Sequence, residues 1–289
     1  MSTVPTQQPP KTFKPPTLGQ SILVDGKYYF IGEKIGQGSF GEVFECQDEW
    51  SNQLVAKVLL PRNQTYDEVR ENWLQELRKL LDLRHPNITH VYAAFECDDT
   101  FYLVIERCSM TLDSIINFPG GDGELWLPYV ARDILQGLEY MHGNGYIHKD
   151  IHAGNVFVSQ SIDRMVPAKD PVWSFKVGDL GISRLETDIE IFNTLLAQWM
   201  LPPEAIDPTE FGPVGRALDI YHVGLLLMAL LLGKSPSFTR DEIIAGVPRQ
   251  TAEGLSSKYG AVIAKALRRH ATARIPTAVQ FWREIASVS

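Results

Sequence analysis

Ile35-Gly36-Gln37-Gly38-Ser39-Phe40-Gly41-Glu42-Val43 places three glycines at Gly-x-Gly-x-x-Gly spacing between two runs of strand-forming residues. With no Cβ in the way, the backbone of such a hairpin could close over phosphate groups. A plain hairpin satisfies the same pattern. A dinucleotide-binding unit would open a helix at this point, whereas Glu42 to Glu45 reads as a strand. Further on lies Lys57, flanked by Val55, Ala56, Val58, Leu59 and Leu60. A buried ammonium without a partner is costly, so this lysine needs a carboxylate. Glu76, on the helix that follows and facing the same way as Leu80, is the best placed. A strand lysine with its head in solvent, and a solvated helix face bearing Glu71 and Glu76, would meet the pattern equally.

Tyr146-Ile147-His148-Lys149-Asp150-Ile151-His152-Ala153-Gly154-Asn155 is followed by Val156-Phe157-Val158 and later by Lys176-Val177-Gly178-Asp179-Leu180-Gly181. Together with the glycines and Lys57, this order and spacing resembles the protein kinase family. The catalytic loop of that family reads His-Arg-Asp with Asn beyond it, then Asp-Phe-Gly. Pro202-Pro203-Glu204, Asp219 and Arg274-Ile275-Pro276-Thr277 extend the resemblance over roughly residues 28 to 286.

The resemblance implies ATP-dependent transfer of a γ-phosphoryl group to serine or threonine hydroxyls of a protein substrate, with ATP and Mg²⁺ as cofactors. Positioning and charge neutralisation do most of the work in such a transfer. By the resemblance, Asp150 orients the substrate hydroxyl and accepts its proton, Asn155 and Asp179 hold Mg²⁺, and Lys57, fixed by Glu76, holds the α and β phosphates. The nucleotide is then expected against Ile35, Gly36, Gly38, Ser39, Phe40, Gly41, Val43, Val55, Ala56 and Lys57. Ile105 would guard the back of the adenine pocket, the backbone from Glu106 to Cys108 would meet the adenine edge, and Val43 and Phe157 would sandwich its ring. Leu80, Val91, His148 and Leu180 match the family's stack of linking side chains, anchored by Asp219. Glu204 and Arg274 match a buried ion pair.

Several residues depart from the family pattern. His152 stands where serine/threonine kinases carry a lysine that contacts the transferred phosphate, and the contribution of an imidazole should fade as pH rises through about 6 to 7. Lys149 replaces an arginine and lacks its two-pronged fork. Glu186, Asp188 and Glu190 either form an exposed solvated face or supply negative charge to the activation segment, in which case activity needs no phosphate there. Ala197 replaces a threonine, and Trp199-Met200 is similar to the Trp-Met of tyrosine kinases one position out of register. Gly154 replaces an acid that often reads substrate arginines, so a strongly basic consensus is not indicated. Val55 stands where an alanine usually floors the adenine pocket, although Ala56 permits a shift of one residue. Between Asn155 and Asp179 lie about ten more residues than usual, an enlarged loop. Alternatives are a tyrosine or dual-specificity kinase, a pseudokinase scaffold regulated by nucleotide, and a small-molecule phosphotransferase.

The elements that must carry these residues follow from composition and periodicity. A chain of 289 residues, 44% hydrophobic and 21% charged, can bury a substantial core. Its net charge of −8 opposes the phosphate-neutralising surface of a nucleic-acid binder. Cys46, Cys97 and Cys108 are too few and too scattered for a disulfide framework. The start has no secretory pattern, and Val223 to Leu232 is too short to span a bilayer. A cytoplasmic protein with no membrane or nucleic-acid partner is expected, its oligomeric state unspecified. Residues 1–20 read as a flexible Pro-rich tail and 21–289 as one domain, with an N-terminal lobe at 21–107 and a C-terminal lobe at 108–289. Strands are expected at Tyr28 to Ile35, Glu42 to Gln47, Leu54 to Leu59, Val91 to Phe95 and Phe101 to Ile105. A helix over Asp67 to Leu83 should present Val69, Trp73, Leu77, Leu80 and Leu81 on one face. Helices are expected near Leu112 to Ile116, Leu127 to Gly143, Asp219 to Leu232, Leu255 to Arg269 and Thr277 to Ala286. A strand-rich half followed by a helix-rich half makes the fold class α+β. The resemblance implies the two-lobed kinase form of it.

Overall fold

The computed structural model describes residues 11–38, 41–61, 63–162, 165, 171–180, 184–185 and 200–289. The chain divides into two compact units, one running to Asp82 and resuming over His90–Arg107, the other made of Leu83–Thr89 and Cys108–Ser289.

The first unit is built on an antiparallel sheet of β1 (Ser21–Val24), β2 (Lys27–Gly38), β3 (Gly41–Asp48), β4 (Gln53–Leu59), β5 (Val91–Cys97) and β6 (Thr100–Glu106), in the order β1-β2-β3-β4-β6-β5. The sheet has one strand more than expected. β1 joins β2 through Asp25-Gly26, whose φ values of 48° and 79° are those of a turn that matches the twist of a hairpin. Ile22, Tyr29 and Ile31 thereby enter a core with Phe44, Cys46, Ala56, Val58 and Val104. The stretch expected to trail as a flexible tail is held from Lys11 onward. Gly19 N–H donates to Ile31 O, and Ile31 N–H donates to Gln20 O, both at 2.9 Å.

Helix α1 (Tyr66–Asp82) follows β4 and buries Val69 and Leu80 against the sheet. Leu81, expected on the same face, is 44% exposed. Each helical residue advances about 100° around the axis, so the neighbour of a buried Leu80 turns toward solvent. The helix stops short of His85-Pro86, because proline disfavours helical backbone at the residue before it.

The second unit opens with β7 (Met110–Thr111), α2 (Asp113–Ile116), α3 (Gly123–Gly143) and β8 (Tyr146–Ile147), followed by β9 (Val156–Ser161), β10 (Val172–Val177) and β11 (Arg184–Leu185). Helices α4 (Pro203–Ile206), α5 (Pro208–Phe211), α6 (Ala217–Leu232), α7 (Arg240–Ala245), α8 (Val247–Glu253), α9 (Gly260–Ala266) and α10 (Ala278–Ala286) complete it. The apolar run becomes α6, buried on every side from Leu218 to Leu230. No helix among the described residues is long and apolar enough to cross a membrane. The helix expected over Leu255 to Arg269 forms only as α9, since Gly254, Ser256 and Ser257 favour turns.

Two further details differ from the sequence reading. Leu83–Thr89, expected in the N-terminal unit, belongs to the second. Asn87 O accepts from Val177 N–H at 2.8 Å, and Asn87 Nδ2 donates to Phe175 O at 3.0 Å. The extra residues beyond Asn155 are partly strand, since β9 and β10 pair without a break from Val156–Val177 to Ser161–Val172. Trp173 in β10 stacks edge-on against Trp126 of α3 at 5.0 Å, which gives the lengthened hairpin a packing role.

Candidate active site

In the first unit, strand alternation decides which side chains share a face. Val43 pairs with Lys57 across β3 and β4, Lys57 with Leu103 across β4 and β6, and Val55 with Ile105. These residues lie on one face of the sheet. Ala56 lies on the other, with no exposed surface, in the core with Phe44 and Val104. The one-residue shift that would bring Ala56 to a nucleotide is therefore excluded, because a slip of one residue turns every side chain of a strand over. Val55 holds that position.

Lys57 Nζ lies 2.7 Å from Glu76 Oε1, the two side chains only 12% and 5% exposed. The pairing expected from sequence is present, and the alternative of a solvated lysine is not. Glycine is required at Gly41 by the sheet itself, since a Cβ there would stand 2.1 Å from Val58 O. At Gly36 the nearest heavy atom would be Val43 Cβ at 3.7 Å, ordinary contact. Protein packing thus explains Gly41 and leaves Gly36 unexplained. Ser39 and Phe40, between Gly38 and Gly41, lie outside the described residues. Ile35 is 49% exposed. Glu106 N–H, expected at the adenine edge, is already donated to His90 O at 2.9 Å.

The second unit carries the acids on one hydrogen-bonded frame. Asp219, wholly buried on α6, accepts from His148 N–H at 2.9 Å and His142 Nε2 at 2.8 Å through Oδ2, and from Lys149 N–H at 2.8 Å through Oδ1. Burial alone would push this carboxyl up. The hydrogen bond and charge of His142 outweigh it and hold Asp219 below the usual carboxylate value. Its bonds also stabilise a bend at Lys149, whose φ of 74° is unfavourable for a residue with a side chain. His148 accepts Asp150 N–H on Nδ1 at 3.2 Å, so its ring proton sits on Nε2, 3.0 Å from Gly178 O. Burial pushes this imidazole down and keeps it neutral. His148 is thus a strut between Asp150 and the residue before Asp179.

Asn155 Nδ2 donates at 3.0 Å to both Asp150 O and Asp150 Oδ2. Asn155 O accepts Gly178 N–H at 3.0 Å, which links the two loops a second time. A Cβ on Gly178 would fall 2.7 Å from the Phe157 ring, so only glycine fits there. With its amide nitrogen committed to Asp150, Asn155 has Oδ1 to offer a cation. Asp179 is exposed with φ 56°. One amide oxygen and one carboxylate suit Mg²⁺, which keeps waters and takes phosphate oxygens for its remaining positions. No group of three or more His, Cys, Asp or Glu able to hold a metal occurs among the described residues.

Two of the departures prove to be one feature. His152 Nδ1 accepts Gly154 N–H at 3.1 Å, and a Cβ on Gly154 would meet the His152 ring at 2.9 Å. Glycine at 154 is what lets the ring fold back over the loop. The ring's Nε2 then lies 3.7 Å from Asp150 Oδ2, so the fold-back holds an imidazole beside Asp150. Asp113 Oδ2 approaches within 3.4 Å of the same Cβ position, so a carboxylate stands beside Gly154 although Gly154 brings none.

Below this loop, Arg274 uses all five of its N–H donors. Two go to Glu204 at 2.5 Å, and the others to Ala217 O, Arg268 O and Arg269 O at 2.9, 2.7 and 3.1 Å. His222 Nε2 lies 3.0 Å from Met200 O and fixes the chain just before Pro202-Pro203-Glu204. Sequence reasoning missed His142 and His222, whose signal was only a histidine within an apolar helix. Glu186, Asp188, Glu190, Ala197 and Trp199 lie outside the described residues.

Comparison with known proteins agrees with this arrangement. The family profile described as Protein kinase domain matches residues 29–281. Serine/threonine-protein kinase ppk11 of Schizosaccharomyces pombe is 31% identical over 207 residues, covering 70% of this chain and 61% of that protein. A probable serine/threonine-protein kinase of Dictyostelium discoideum is 29% identical over 83% of this chain and 46% of its own length. Cyclin-dependent kinase-like 1 of Caenorhabditis elegans is 27% identical over 70% of this chain and 54% of its own. The chain thus spans about half the length of the curated relatives it matches.

Proposed function

Since this chain belongs to the protein kinase family, we propose that it transfers the γ-phosphoryl group of ATP to serine or threonine hydroxyls of protein substrates in the cytoplasm. The observation that carries the reading is the double hydrogen bond from Asn155 Nδ2 to Asp150. It takes up Oδ2 and leaves Oδ1 to accept the proton of a substrate hydroxyl as that oxygen bonds to phosphorus and the bond to ADP breaks. His152, held by Gly154, lies beside the same carboxylate. Lys57, paired with Glu76, would neutralise the phosphates. Asn155 Oδ1 and the Asp179 carboxylate would hold Mg²⁺, which neutralises charge building up on the phosphate oxygens.

Serine or threonine is favoured because the loop lacks the arginine that tyrosine kinases carry near Ala153 or Gly154, and because the relatives compared bear serine/threonine kinase names. The test is incubation of the purified protein with MgATP and generic protein substrates beside an Asp150→Ala control, with phosphosites located by mass spectrometry. Phosphoserine or phosphothreonine formed by the native chain and lost in the control is expected. Phosphotyrosine alone would overturn the hydroxyl class, and no phosphate above the control would leave a nucleotide-binding scaffold as the function.

A further inference from the structure

Residues 11–14 cross the first unit seated on the start of β6, on the turn before it and on the first residue of α1. Lys11 Nζ is 2.7 Å from Asp99 Oδ1 and 4.9 Å from the centre of the Tyr66 ring. Thr12 N–H donates to Asp99 Oδ2 at 3.1 Å. Thr100 Oγ1 accepts Lys14 N–H at 2.9 Å and lies 3.1 Å from Lys14 O. Between these anchors the Phe13 ring packs 6.0 Å from Tyr66 and 6.3 Å from Phe101. Thr100 and Phe101 have no exposed surface. A buried hydroxyl bonded to this stretch of backbone, and a phenylalanine sealed beneath it, mark a built seat rather than a chance contact.

What the seat holds is α1. Tyr66 is the first residue of that helix; its ring packs on Phe101 at 5.1 Å and its hydroxyl donates to Glu96 at 2.6 Å. Two turns on, Trp73 packs on Phe101 at 5.2 Å and donates Nε1–H to Tyr102 O at 3.0 Å. Glu76, the partner of Lys57, comes one turn later. The charged contacts of Lys11 are exposed and add little. The weight falls on the Phe13 ring and the paired backbone groups.

We propose that Lys11-Thr12-Phe13-Lys14 is an internal docking motif, a cation and an aromatic ring two residues apart, whose seat on α1 and β6 sets the position of Glu76 and hence of Lys57. Phe13 is a positioning residue for nucleotide binding. The inference rests on the phosphotransfer reading only for what the Lys57–Glu76 pair is for. The seat and its hold on α1 stand without it.

The test uses the full chain and its Phe13→Ala and Phe13→Tyr variants, with amide hydrogen exchange and calorimetric titration of a non-hydrolysable ATP analogue with Mg²⁺. Phe13→Ala should speed exchange across residues 66–76, leave α6 protection unchanged, and weaken the analogue about three- to tenfold. Phe13→Tyr should restore both, and the peptide Lys-Thr-Phe-Lys-Pro-Pro-Thr added to the Phe13→Ala protein should restore them saturably. Unchanged exchange over 66–76 would overturn the seat. Faster exchange with unchanged affinity would overturn the positioning role. A native chain that binds the analogue without transferring phosphate counts against the phosphotransfer reading alone, because exchange and affinity still decide the seat and the positioning role.

Discussion

His152 and Gly154 show how two substitutions in one loop can act as a single device. A substitution at either should disturb the other, because the ring occupies the space a Cβ would need. Gly154→Ala is expected to lower kcat about ten- to a hundredfold by displacing the ring from Asp150. In a His152→Ala background the same change should cost little, since the clash is gone. Steady-state kinetics on the four proteins checks this, and losses that multiply in the double variant would show the two residues to be independent. At this scale the sequence was partly legible. It named both positions as departures, but a bond from the main chain of one to the side chain of the other leaves no mark in the order of residue types.

Among the elements, the glycine-rich hairpin separates two demands that sequence cannot tell apart. Gly41 is required where β3 crowds β4, so Gly41→Ala should cost about 1–3 kcal/mol of stability. Gly36→Ala meets only ordinary contacts and should change stability by less than about 1 kcal/mol. If the hairpin covers phosphates as proposed, Gly36→Ala should nevertheless raise KM for ATP. Urea midpoints and KM measured on both variants decide it, and a Gly36→Ala protein with native KM would leave that glycine to the hairpin alone. The Asp25-Gly26 pair is a hairpin signal in the sequence, yet the strand before it, Ser21–Val24, is too short to announce itself by alternation. Ala56 was misassigned for a different reason. The run from Leu54 to Leu60 is apolar almost throughout, so no alternation announces which residues face the core until β3 and β6 fix the register.

For the molecule as a whole, the buried histidines set a dependence on pH. Burial pushes the His148 and His222 imidazoles below their usual value, and the nearby Asp219 and Asp150 charges offset this only in part. Below about pH 6.5 the unfolded chain takes up protons that the native rings refuse, so stability falls as pH falls. The loss should approach about 1.4 kcal/mol per pH unit for each ring while it stays neutral in the native state. Asp219, held below the usual carboxylate value, adds its own loss only below about pH 4. Urea midpoints between about pH 7 and 5.5 should decline, and His222→Gln, which keeps a donor for Met200 O, should flatten the decline. A midpoint that holds or rises on acidification would contradict the buried neutral rings.

By itself the sequence determined the class of fold and the strand-then-helix order, which depend on periodicity the chain carries locally. Its motifs, through their resemblance to a family, named Lys57, Glu76, Asp150, Asn155 and Asp179 as candidates. Only the tertiary structure decided that Val55 and not Ala56 shares a face with Lys57, that His142 and His222 are buried struts, that Leu83–Thr89 joins the second unit, and that Phe13 is seated on Tyr66 and Phe101. Each of these is a meeting of residues far apart in the chain, or a choice of strand face. Such choices are settled by which apolar surfaces find each other and which buried polar atoms find partners once the chain has closed on itself.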